Sequence, residues 1–98
     1  MVVSIMEFEW DYSKEKQNIS KHDCNFTEAA ECFRDPQGIQ LTDKEHSKTE
    51  ERFYWIGQTL AGRVLTVRFT IRGSKIRIIG CAEWRQMKRI YYEKAKNK

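Results

Sequence analysis

No apolar stretch in these 98 residues approaches the roughly 18 needed to cross a bilayer, and the opening "MVVSIM" is too short for a secretory signal core. The chain therefore reads as cytoplasmic, with no membrane partner. Cysteine is scarce and odd in number: Cys24, Cys32 and Cys81 form no CxxC pair. That fits neither a disulfide framework nor a zinc site and leaves buried, reduced thiols. No GxGxxG, P-loop, HExxH or carboxylate-rich metal loop occurs, so neither a nucleotide cofactor nor a metal has sequence support. Repeats and linkers are missing too. The reading is one domain over residues 1–98, with 1–5 and 94–98 as candidate flexible ends.

Acidic residues are nearly missing from the second half of the chain. Residues 61–98 carry 11 Lys+Arg against 2 Asp+Glu, whereas residues 1–60 carry 7 against 12. A basic half implies a partner rich in phosphate or carboxylate, and nucleic acid is the commonest such partner for a small domain. The bland alternative is a basic half that is solvated or paired with the acidic one.

What is present is period-two alternation. "MEFEW" alternates as a first strand, and Asp11 is placed to cap a helix from Tyr12 to about His22. Lys14, Asn18 and Lys21 share one face of it. Asn25 and Glu28 form a capping-box pattern over a second short helix, whose buried stripe is Phe26, Ala29, Ala30 and Phe33 and which Asp35-Pro36 ends. "GIQLT" reads as a short edge strand and "DKEHSKTEE" as an exposed loop. "ERFYWIGQTL", "RVLTVRFTIR" and "KIRIIGCA" read as three strands joined by the tight turns "AG" and "GS". Met87, Ile90, Tyr91 and Ala95 then recur at helical spacing. The order β-α-α-β-β-β-β-α predicts an α+β fold, a compact antiparallel sheet with two N-terminal helices and one C-terminal helix packed on it.

In "RVLTVRFTIR", Leu65, Val67, Phe69 and Ile71 supply a buried face and Thr66, Arg68, Thr70 and Arg72 the other. The same count sets Arg52, Tyr54 and Arg77 beside Arg68 and Arg72. Four arginines cannot form a dry core, because unpaired buried charge is too costly. The planar guanidinium fork matches phosphate, so this face reads as an anion-binding surface. Lys21 and His22 close the first helix, and His46 lies four residues before Glu50-Glu51. If RNA lay across the sheet, a histidine or glutamate could take the proton of a 2′-hydroxyl. A lone histidine at a helix end is more often a cap. Phe53, Trp55 and Phe69 read as core, and Trp84 is the better candidate for an exposed ring. The last helix can dock a partner or nucleic acid, or simply be solvated.

"FEWDYSKEKQNISKHDCNFTEAAECFRDP", "EERFYWIG", "GRVLTVRFTIRGSKIRII" and "RIYYE", taken in order, resemble the BrnT toxins of type II toxin–antitoxin systems from Phe8 to Glu93. The resemblance implies a RelE-like fold and metal-independent RNA cleavage that arrests translation. It also implies neutralisation by a BrnA-type ribbon-helix-helix antitoxin, in a heterotetramer that reaches operator DNA only through that antitoxin. Under it, Arg52, Arg72 and Arg77 would hold the scissile phosphate and His22 or Glu51 would move a proton. Lys14, Lys21, Arg68, Trp84 and Arg85 would bind RNA, with no cofactor. Many members of that family follow the last strand with "SAR", whereas this chain has "GCAEWR", with Ala82 where that arginine would stand. The competing readings are a non-catalytic toxin-like subunit of a repressor complex and a general single-strand-binding module.

Overall fold

The computed structural model describes residues 6–96. The order is β1 (Glu7–Trp10), α1 (Tyr12–His22), α2 (Phe26–Glu31), β2 (Ile39–Thr42), β3 (Arg52–Gln58), β4 (Val64–Arg72), β5 (Lys75–Ala82) and α3 (Arg85–Lys96). A 3-10 turn, Cys32–Arg34, extends α2, and another, Lys44–His46, sits in the polar loop before β3. The proposed loose ends at 1–5 and 97–98 lie outside the described residues, while residues 94–96 belong to α3.

The predicted caps form. The Asp11 carboxylate accepts from the Ser13 and Lys14 amides at 2.7 and 3.2 Å, and Asn25 and Glu28 close their box reciprocally. Both tight turns have glycine at positive φ: Gly62 (+92°) after β3 and Gly73 (+61°) after β4.

The strands form one five-stranded sheet in the order β1-β5-β4-β3-β2. The expectation of a wholly antiparallel sheet is corrected at one edge, because β1 pairs with β5 in parallel. Alternation in four residues reports which face is buried, not which way the strand runs. β2 through β5 form an antiparallel meander, and β1 occupies the edge that the meander leaves at β5.

Register sorts the side chains into two faces. One carries Phe8, Phe53, Val67, Phe69, Ile76 and Ile78 against α2, with Phe33 packed 5.0 Å from Phe69, 5.2 Å from Trp55 and 5.5 Å from Phe8. All three cysteines are buried and unbridged, and burial pushes the Cys32 thiol up to about 12. The other face packs Ile39, Leu41, Ile56 and Val64 under Met87 and Tyr91 of α3. The Tyr91 hydroxyl donates to the Asp35 carboxylate, tying α3 to the end of the α2 segment. The rest of that second face is left to the arginines.

A candidate active-site cleft

The open part of the second face is built from cross-strand rows. Glu9, Arg77, Thr70 and Arg52 stand in one row across four strands, and Arg68 and Tyr54 in the next. A bulge at Ile79 shifts β5 so that Phe69 faces Ile78 while Arg68 faces Gly80. Gly80 leaves room for the Arg68 guanidinium there: a methyl group at this position would lie 3.0 Å from Arg68 Nη2 and 3.4 Å from Asn18 Oδ1, so the guanidinium would have to shift by a few tenths of an ångström.

Asn18 anchors α1 beside this face. β1 pairs with β5 only as far as Ile78, which leaves the Cys81 backbone open on the edge. The Asn18 side chain fills the place of a strand there: Oδ1 accepts from the Cys81 amide at 3.1 Å, and Nδ2 donates to the carbonyls of Cys81 and Cys24, each at 2.9 Å. Pinning Asn18 sets the rotation of the helix, so the residues three and four positions away border the same side. Lys14, Lys21 and His22 of α1 therefore line an open cleft of about 290 Å3 with Arg52 and Arg68 of the sheet.

Charge separates the arginines into two groups. Among the described residues, Arg52 and Arg68 have no carboxylate within salt-bridge distance. Arg72 instead holds Glu50 with two bonds, at 2.8 and 3.2 Å, and Arg77 Nη1 lies 2.9 Å from Glu9. The Arg72 guanidinium, helped by the charges of Arg52 and Arg77, keeps the Glu50 carboxyl below the usual carboxylate range. Neither Arg72 nor Arg77 lines the cleft. Glu51 does not either: its side chain is exposed, and its backbone carbonyl accepts from the Thr70 hydroxyl.

Trp84 borders a smaller recess at the end of the cleft, which shares Asn18, His22 and Arg68 with it, and packs edge-on against Tyr54 at 5.8 Å. Arg85 falls elsewhere, in a shallow groove on α3 with Lys88 and Arg89. Behind Tyr54, the Asp43 carboxylate is buried and pairs with His46 Nδ1 at 2.9 Å. Burial would raise Asp43, but the hydrogen bond and charge of His46 outweigh it and hold the carboxyl low. Glu83 does not oppose the cleft's field, since Arg63 and Lys88 bind its carboxylate. Sequence reasoning placed Asn18 on the right helix face but missed its strand-mimicking contacts. It also missed Glu9 and Glu50 as arginine partners, which depend on the parallel edge and on a loop conformation.

Residues 10–88 match the family described as "Ribonuclease toxin, BrnT, of type II toxin-antitoxin system". The chain belongs to this family. BrnT from Brucella abortus, a ribonuclease toxin known from a 1.1 Å crystal structure, has the same fold: the TM-score is 0.62 at 22% identity, covering 81% of this chain and 96% of the other. No curated protein is detectably similar in sequence. The family is one of ribonuclease toxins of type II toxin–antitoxin systems, and membership in it implies an antitoxin partner. Among the described residues, no helix is long and apolar enough to cross a membrane.

Proposed function

We propose that this chain is a metal-independent endoribonuclease that cuts single-stranded RNA in the α1–sheet cleft and so halts translation in the cytoplasm. The observation that carries this reading is the convergence of two carboxylate-free arginines, two lysines and one histidine on the cleft. In the proposed reaction His22 removes the proton of a 2′-hydroxyl, the oxygen attacks the adjacent phosphorus, the bond from phosphorus to the 5′-oxygen breaks, and that oxygen takes its proton from water. A 2′,3′-cyclic phosphate remains. Arg52 and Arg68 stabilise the charge on the phosphorane, and Lys14 and Lys21 hold the neighbouring phosphates. His22 is preferred to Glu51 because only His22 borders the cleft. Arg72 and Arg77 extend the RNA path along the same face with charges already partnered by Glu50 and Glu9. Arg85 lies off this path and contributes to affinity for longer RNA.

The partner in this reading is a BrnA-type ribbon-helix-helix antitoxin. It covers the cleft in a heterotetramer and brings the complex to operator DNA. The test is incubation of antitoxin-free protein with end-labelled RNA in EDTA, beside Arg68→Ala and Arg72→Ala. Cleavage by the wild type that Arg68→Ala abolishes supports the reading. Folded protein that binds antitoxin and cuts nothing is instead a non-catalytic partner, with the "GCAEWR" segment as the first place to look.

A further inference from the structure

The small recess at the end of the cleft, about 40 Å3, shares His22 and Arg68 with it and adds Thr66, Ala82 and Trp84, which the proposed cleavage chemistry does not use. Its floor is the cross-strand pair Thr66–Ala82, and His22, Arg68 and Trp84 stand around it. Thr66 is only 1% exposed, and among the described residues its Oγ1 has no hydrogen-bond partner. A buried hydroxyl is seldom left so, because it forfeits its bonds to water and gains nothing in return. Ala82 keeps the space above it open; any longer side chain there would fill the recess. Trp84 stands at the mouth, 37% exposed, its ring held edge-on by Tyr54.

A recess of this size excludes a whole aromatic ring but admits one polar substituent of a ring. The feature with that shape on RNA is the edge of a nucleobase whose face lies against Trp84. We propose that the recess reads one base next to the scissile phosphate, Trp84 stacking the ring and the Thr66 hydroxyl bonding its edge. Trp84 supplies affinity that tolerates any base, and Thr66 supplies the discrimination. This inference rests on the RNA-cleaving reading above.

The test is binding of four labelled RNA tetranucleotides, each of a single base, followed by mapping of cut sites in a mixed-sequence RNA. Wild type, Thr66→Val, Ala82→Leu and Trp84→Ala are compared. The expected wild-type affinities spread over about tenfold among the bases. Thr66→Val, which keeps the shape, and Ala82→Leu, which fills the recess, collapse that spread to about twofold and blur the cut-site pattern. Trp84→Ala weakens all four alike. If the wild type cuts RNA but shows no spread, or if both recess variants keep it, the recess holds only water and the inference falls alone. If no RNA is bound or cut, the ribonuclease reading falls and takes the subsite with it.

Discussion

At the scale of single residues, the arginines differ by their partners rather than by their positions in sequence. Arg68 faces the cleft without a carboxylate partner among the described residues, whereas Glu50 already engages Arg72 through two bonds. Arg68→Ala is therefore expected to lower RNA cleavage at least about 100-fold, and Arg72→Ala less than about fivefold, with native thermal unfolding in both. Equal losses would show that the Glu50 pairing opens when RNA binds. Gly80→Ala tests the same geometry from below, because its methyl group would displace the Arg68 guanidinium. Its cleavage rate should fall more steeply than its melting temperature. Period two sufficed to set Arg68 and Arg72 on one face, since β4 alternates cleanly there, but it was a weaker guide for Arg52, because Phe53 and Trp55 on one face of β3 are matched by Tyr54 and Ile56 on the other. Which arginine is free was not legible, because Glu9 and Glu50 reach theirs through strand pairing and a loop.

At the scale of elements, α1 is held to the sheet by one polar side chain. Asn18→Ala leaves the Cys81 amide and the Cys24 carbonyl without their Asn18 partner, and the Cys81 carbonyl with only the Cys24 thiol. The expected cost is about 3 kcal/mol, read as a lower urea midpoint, with faster amide exchange in α1. Asp11→Ala, which removes only the cap, should cost about 1 kcal/mol. The helices and hairpins were legible because their signals are local: an Asp cap, an Asn-Glu box, and glycine in two turns. The direction of β1 was not local. Four alternating residues fit either direction, and the choice depends on an edge of β5 that only the assembled meander presents. Asn18 follows the same logic, since the backbone it completes lies 63 residues away.

At the scale of the whole molecule, the acidic first half and basic second half are interleaved by the fold. Part of the charge cancels in pairs, Glu9 with Arg77, Glu28 with Arg63 and Glu50 with Arg72. Asp43, Glu50 and Glu83 all titrate below their ordinary values of 3.8 and 4.5. Their folded-state pKa values lie under the unfolded ones, so their stabilisation is complete above the ordinary range and drains away as pH falls through the lowered values. Melting temperature should hold near neutrality and decline below about pH 4. What does not cancel is the cleft, where Lys14, Lys21, Arg52 and Arg68 remain for phosphate. Four phosphates neutralised on single-stranded RNA release their counterions and give a slope of about −3 in log affinity against log salt. A slope of about −4 would mean that Arg72 and Arg77 exchange their carboxylates for phosphates on binding. A flat dependence would remove the cleft as the RNA site, because no arrangement of four cations around a polyanion escapes counterion release.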